Sequence, residues 1–98
     1  MVDEKHVYQV QWTKQYKKDV KLAKRRNYKM EELYAVIKKL ANDEPLDERY
    51  RDHSLEGNLI GHRELHIRPD WLLIYQKKDD LIILELLRTG THSDLFGK

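Results

Sequence analysis

The sequence predicts an α+β fold: a small antiparallel β-sheet with two N-terminal helices packed on one face, in the order β-α-α-β-β-β, closed by a short C-terminal helical turn. Three observations carry this. Residues 7–12 alternate apolar and polar, residues 13–41 change to a helical period, and from about residue 58 the chain alternates again between turn signals at Pro69-Asp70 and Lys78-Asp79-Asp80. A length of 98 residues fits a single domain over 1–98. Such a domain buries roughly 60% of its unfolded surface, so any site is expected in a shallow groove.

In the first strand, Val7 to Trp12, Tyr8, Val10 and Trp12 share one side and Gln9 and Gln11 the other. Thr13 offers a hydroxyl cap to a helix running to about Arg26, with Tyr16, Val20 and Ala23 on a narrow apolar stripe. Asn27 is a left-handed stop, and Met30, Leu33, Tyr34, Ile37, Leu40 and Ala41 give the clearest helical period in the chain. Pro45 ends the second helix within an acidic stretch. A second strand is expected from about Asn58 to Arg68, with His62, Glu64, His66 and Arg68 on one side and Leu65 and Ile67 on the other. Pro69 and Asp70 reverse the chain before a third strand, Trp71 to Lys77, and the turn brings Asp70 and Trp71 close to His66. The fourth strand, Leu81 to Thr89, is apolar on both faces and therefore central; Gly90 ends it, and Thr91 to Lys98 form the helical turn. The helices cover one sheet face, leaving the other free.

Charged residues make up 37% of the chain, yet the net charge is only +2, so the distribution says more than the total. Between Lys14 and Lys39 ten lysines and arginines face three acids, which makes the first helix either a solvated basic face or a surface for a polyanion. The chain has no cysteine, which excludes disulfides and thiolate metal sites. Met1 to His6 is too polar for a signal peptide, and the longest apolar run, Trp71 to Tyr75, is far short of the ~20 residues that span a bilayer. A soluble, cytoplasmic protein is expected.

Three histidines, His53, His66 and His92, sit in polar contexts near strand ends, and Arg88 precedes the last of them. Imidazole both accepts and donates a proton near neutrality, and guanidinium holds phosphate oxygens through a planar fork. Together they suit phosphodiester cleavage with the ribose 2′-hydroxyl as nucleophile, which requires neither metal nor cofactor. The run His62-Arg63-Glu64-Leu65-His66 is not the helical zinc motif, in which Glu follows the first His directly; His62, Glu64 and His66 could meet a metal only as one strand face. Trp71, Tyr75 and Phe96 could stack on bases, although Trp71 and Tyr75 read more readily as core.

Three blocks together resemble the YafQ toxins of the RelE/ParE superfamily. They are Tyr50-Arg51-Asp52-His53-Ser54-Leu55-Glu56-Gly57, Arg63-Glu64-Leu65-His66-Ile67-Arg68-Pro69-Asp70-Trp71-Leu72-Leu73-Ile74-Tyr75, and Arg88-Thr89-Gly90-Thr91-His92-Ser93-Asp94-Leu95-Phe96. Order and spacing match in all three, and the likeness covers essentially the whole chain. It implies a ribosome-dependent mRNA endonuclease of a type II toxin-antitoxin pair, cutting codons in the A site. Its inhibitor would be a small antitoxin similar to the DinJ family, with a ribbon-helix-helix end through which alone the pair would touch operator DNA. The resemblance places His53, His66, Asp70, Arg88, His92 and Phe96 in the functional set, with Trp71 beside them. It implies His92 as general acid, Arg88 as the cation for transition-state charge, Asp70 or His66 as base or its orienter, and His53 and Phe96 as residues that place the RNA. The acidic run from Asp43 to Asp52 is expected to disfavour RNA, so that Lys17, Lys21 and Lys24 of the first helix supply the attraction to ribosomal RNA. A ParE-like toxin that poisons DNA gyrase without catalysis is the alternative; it has no need of three imidazoles beside an arginine.

Overall fold

The computed structural model describes residues 7–97, so the reading of Met1 to His6 as too polar for a signal peptide lies outside the described residues. Strand β1 (Gln9–Trp12) leads into helices α1 (Lys14–Arg25) and α2 (Met30–Ala41), followed by a two-residue strand β2 (His53–Ser54), then β3 (Arg63–Arg68), β4 (Trp71–Lys78), β5 (Ile83–Gly90) and a short helix α3 (His92–Phe96). The strands form one sheet in the order β1-β5-β4-β3-β2. Thr13 caps α1 by accepting from the Tyr16 N–H at 2.9 Å, and Asn27 adopts a left-handed φ of 63° between the helices, both as the sequence predicts.

The core lies between the sheet and the helix pair. Tyr16 of α1 and Leu33, Val36, Leu40 and Ala41 of α2 pack on Leu65, Ile67, Trp71, Leu73, Tyr75, Leu84 and Leu86. Among the described residues no helix is long and apolar enough to cross a membrane.

Four local features differ from the sequence reading. The sheet is mixed, because β1 pairs with β5 in parallel, Gln9 against Ile83 through Trp12 against Leu86. A pairing between the first and last strands is non-local, and nothing in either strand alone encodes its direction. Residues 57–59 form a 3₁₀ turn, so β3 begins at Arg63 rather than Asn58. Leu81 and Ile82 lie outside β5, 65% and 52% exposed, in a turn where Ile82 takes φ 54°. Finally, Leu72 and Ile74 are buried although they point away from the two helices, so the second sheet face is not open throughout.

Two bulges reset the alternation. At Ile67 the register moves from His66 against Leu72 to Arg68 against Trp71. Arg68 is thereby turned out of the face of Glu64 and His66 and toward α2, where its Nε and Nη2 donate to Glu32 at 2.8 and 2.6 Å. In β5 the register moves from Leu86 against Tyr75 to Arg88 against Ile74, which leaves Leu87 as the extra residue. Simple alternation after Leu84 and Leu86 would drive Arg88 into the core; the bulge turns it outward and puts Thr89, 1% exposed, in its place.

A β-branched side chain at positive φ costs on the order of 1 kcal/mol. Ile82→Asn, which favours that conformation and loses no core contact, should raise Tm by about 4–8 °C in a thermal melt; an unchanged or lower Tm would show that the turn is unstrained.

Candidate functional site

Strand pairing lays out the site on the sheet face turned away from the helix pair. Directly opposed residues share a face, so His53, Glu64, Ile74 and Arg88 stand in one row across four strands, and His66, Leu72 and Gly90 in the next. Helix α3 starts just beyond Gly90 and carries His92 beside His66. The imidazole centroids are 6.3 Å apart for His53 and His66 and 5.7 Å for His66 and His92, a line of three rings.

Each ring is held by a defined acceptor. His53 turns Nδ1 to the Arg51 carbonyl oxygen at 2.7 Å and Nε2 to Glu64 Oε1 at 3.2 Å. His66 places Nδ1 3.3 Å from the Pro69 carbonyl oxygen and Nε2 3.9 Å from the same Glu64 oxygen, so one buried carboxylate stands between two imidazoles. His92 donates from Nδ1 to Asp70 Oδ1 at 2.6 Å, and its backbone N–H reaches the same oxygen at 2.8 Å. The His92 backbone N–H and then its ring N–H hold the Asp70 carboxyl below the usual carboxylate range. Asp70 is therefore a poor proton acceptor and a good orienter: it fixes Nδ1 as the donor and leaves Nε2 of His92 for chemistry.

Helix α3 has only five residues and needs external support. Thr91 and Asp94 form a reciprocal cap, the Asp94 N–H donating to Thr91 Oγ1 at 3.0 Å and the Thr91 N–H to Asp94 Oδ2 at 2.9 Å. Arg26, just past α1, grips the same carboxylate with Nη1 at 2.7 Å and Nη2 at 3.2 Å, and this grip, followed by the cap bond, pushes the Asp94 carboxyl far down. A carboxyl so lowered contributes stability above the ordinary Asp range near pH ~4 and loses it only as pH falls through the folded value. A Cβ on Gly90 would sit 2.9 Å from Asp94 Oδ2 and 3.0 Å from its Cβ, so this position has room for glycine alone.

Arg88 is tethered from α1. Its Nε and Nη2 donate to the two oxygens of Asp19 at 2.8 and 3.0 Å, and the Thr89 N–H donates to Oδ2 at 3.1 Å. The Asp19 contacts hold the guanidinium in its charged form and leave Nη1 without a hydrogen bond among the described residues.

Beside the imidazoles lies a cleft of about 870 Å³, lined by His66, His92, Arg49, Arg51, Arg68 and Glu32 with Ile67 and Pro69. Its contents are those of a site for an anionic, proton-transferring reaction: two imidazoles and an excess of guanidinium. Among the described residues no group of three or more histidines and acids is arranged to hold a metal ion. His62 precedes β3 and turns its Nδ1 to the Leu59 carbonyl at 3.2 Å, apart from Glu64 and His66.

A family model for the bacterial toxin of type II toxin-antitoxin systems, YafQ, matches residues 8–97. The chain belongs to the YafQ toxin family. It is 45% identical over 89 residues to the mRNA interferase toxin YafQ of Escherichia coli strain K12, covering 90% of this chain and 95% of that one. Its structure is similar to YafQ in the crystal structure of the E. coli DinJ–YafQ toxin-antitoxin complex, with a TM-score of 0.85 and 42% identity over 93% of this chain and 99% of the other. It is also similar to a toxin from Helicobacter pylori crystallised with metal bound, with a TM-score of 0.86 and 39% identity over 91% and 99% of the two chains.

Against the YafQ resemblance, the structure gathers His53, His66, Asp70 and His92 into one site and sets Arg88 on the same sheet face. Phe96, 40% exposed on α3, is free to stack. Trp71 requires a correction: it is 3% exposed, packs on Tyr28 with centroids 4.8 Å apart and spends its indole N–H on Thr89 Oγ1 at 2.9 Å, so it supports the Asp70 turn and presents no face to a base. Lys17, Lys21 and Lys24 do not join the histidines; they rim an apolar cavity of about 450 Å³ with Trp12, Tyr34 and Ile37 on the helix side. The acidic run is less hostile than its composition implies, because Asp43 pairs with Lys77 and Asp52 with Arg63 and the Tyr75 hydroxyl.

Sequence reasoning missed Asp19, Arg49 and Arg51. Asp19 did carry a signal, an acid on the buried stripe of Tyr16 and Ala23, where a lone carboxylate needs partners. Asp19→Ala should cost about 1–2 kcal/mol in denaturant unfolding, moderated by the partial exposure of Arg88. It should lower activity further than that loss explains, because Arg88 is no longer aimed; full activity in the folded variant would contradict the tether. Gly90→Ala should displace α3 and reduce activity more than it reduces Tm, which crystal structures and single-turnover assays would check together.

Proposed function

We propose that this YafQ toxin, an mRNA interferase of a type II toxin-antitoxin pair, cuts messenger in the ribosomal A site by acid-base catalysis on the ribose 2′-hydroxyl. The observation that carries this reading is the His92–Asp70 pair beside His66 in an arginine-lined cleft. A ribose bound there meets a base and an acid a few ångströms apart. His66 takes the proton from the 2′-hydroxyl, and the 2′-oxygen bonds to phosphorus. The bond from phosphorus to the 5′-oxygen breaks, and His92 Nε2 gives that oxygen its proton. Arg88 neutralises charge on the phosphorane through the edge that Asp19 leaves unoccupied. Glu64 and Asp70 are orienters, His53 positions Glu64 and the strand, and Phe96 stacks on a base of the codon. No metal enters these steps.

The partner that silences the toxin is a DinJ-like antitoxin with a ribbon-helix-helix end, through which alone the pair reaches operator DNA. The toxin acts in the cytoplasm, where ribosomes translate. Lys17, Lys21 and Lys24 attract ribosomal RNA from the helix face. A gyrase-poisoning toxin has no use for a line of imidazoles, and family membership speaks against that alternative.

His92→Ala and Arg88→Ala should each reduce cleavage by about 10²-fold or more with folded circular dichroism spectra retained, since neither side chain belongs to the apolar core. Asp70→Asn keeps an acceptor for the His92 N–H and should lose about tenfold, whereas Asp70→Ala should lose about 10²-fold; equal losses would make the carboxylate itself the base. The upstream product should end in a 2′,3′-cyclic or 3′-phosphate and the downstream product should begin with a 5′-hydroxyl. Messenger with a 2′-methoxy ribose at the cut site should stay intact. Cutting of that messenger, or 5′-phosphate ends on the normal one, would make water the nucleophile and sink the mechanism.

A further inference from the structure

Most arginines of this chain are spoken for. Arg26 holds Asp94, Arg63 holds Asp52, Arg68 holds Glu32 and Arg88 holds Asp19, each through a carboxylate within 3.4 Å. Arg49 and Arg51 make no hydrogen bond or ion pair to a carboxylate among the described residues, Arg49 acting on Glu32 only through its charge, and both open into the cleft that His66 and His92 line.

Their placement is built rather than incidental. Asp47 caps a single 3₁₀ turn, Glu48–Tyr50, by accepting from the Arg49 N–H at 2.9 Å, and Arg51 ends the turn at a left-handed φ of 51°. Arg49 lies over the Tyr50 ring, its guanidinium carbon 4.7 Å from the centroid, and Nη2 donates to the Tyr50 hydroxyl at 2.9 Å. The aromatic face and the hydroxyl orient that guanidinium without neutralising it. The Arg51 carbonyl receives His53 Nδ1 at 2.7 Å, so the backbone that carries Arg51 is also a hydrogen-bond partner of a site imidazole. The one carboxylate lining the cleft, Glu32, is already occupied by both nitrogens of the Arg68 fork, and those bonds lower its carboxyl.

We propose that Arg49 and Arg51 form a phosphate-binding track for the cleaved RNA strand itself, gripping the backbone next to the scissile phosphate. The proposal rests on the reading of the site as a ribonuclease centre and adds the path by which the strand enters it. A single-stranded backbone fits better than a compact anion, because a cleft of about 870 Å³ holds more than one phosphate and the cations stand along it. Guanidinium also suits the task better than ammonium, since it bonds two oxygens of one phosphate. In this arrangement the arginines bind substrate and the histidines transform it.

The test joins the protein and RNA sides of the contact. Arg49→Gln with Arg51→Asn removes both charges, and asparagine keeps the left-handed backbone beneath His53. On programmed ribosomes, the toxin concentration that gives half-maximal single-turnover cleavage should rise about tenfold, with the saturating rate within about threefold of the parent. Lys38→Gln, an equal charge change per residue on an exposed part of α2, should leave it unchanged. Messenger with neutral methylphosphonates flanking the cut site should weaken the parent toxin by a similar factor and add little to the loss already present in the double variant.

Additive losses would mean that the arginines grip ribosomal RNA or protein, and unchanged cleavage would mean that they grip nothing; either overturns the proposal. Arg51→Asn alone, which leaves the Arg49–Tyr50 stack intact, should show part of the same non-additivity. It decides the matter if the double variant melts early, with additive loss in the single variant counting against the track. A parent toxin that cuts no ribosome-bound messenger would overturn the ribonuclease reading and the track with it, whereas a parent that cuts normally beside an indifferent variant would overturn the track alone.

Discussion

The C-terminal half of β5 has a missing neighbour, and much of this molecule follows from how that gap is filled. β1 pairs with β5 only as far as Trp12 against Leu86, so the peptide groups of residues 87–90 have no strand partner on that side. Unsatisfied groups near a core cost about 1–3 kcal/mol each. Helix α1 supplies the bonds that a strand would have made. The Thr13 N–H donates to the Leu86 carbonyl at 3.1 Å, its hydroxyl donates to the Leu87 carbonyl at 2.7 Å, and Asp19 accepts the Thr89 N–H.

The same repair organises the chemistry. An acceptor brought to the edge of β5 lies beside whatever side chain that edge carries, and the bulge at Leu87 makes that side chain Arg88. About two helical turns further on, Arg26 reaches the Asp94 carboxylate that caps α3 and so fixes His92. Asp19 of α1 and Arg26 just past it thus hold Arg88 and the helix that carries His92 without lining the cleft themselves. A substitution on the buried stripe of α1 would disturb activity through position, with the imidazoles untouched.

What could be read from the sequence was local. Thr13 and Asn27 bound their helices as their side chains demand, the period of Met30 to Ala41 marks the helix that covers the sheet, and Pro69 with Asp70 makes the turn between β3 and β4. What escaped depended on one inserted residue or on a partner distant in the chain. The bulge at Ile67 separates Arg68 from His66, the parallel pairing of β1 follows from nothing inside β1, and Leu81 and Ile82 look like strand because their exposure in a turn is unrelated to their propensity. Arg49 and Arg51 were obscured by the acids around them, since composition averages over directions that a single 3₁₀ turn separates.

The high charge density has the same explanation at a finer scale. Ion pairs at the surface contribute about 0–1 kcal/mol each, so the pairs of Arg26, Arg63 and Arg68 are a poor account of stability. They make better sense as aiming devices. Asp19 points Arg88, Asp94 anchors α3, and Glu32 holds Arg68 at the wall of the cleft. In a small domain without a deep pocket, orientation cannot come from enclosure, and hydrogen-bonded charge supplies it instead. The cleft arginines that make no hydrogen bond to a carboxylate are then the ones with capacity for an external anion, and they stand beside His66 and His92.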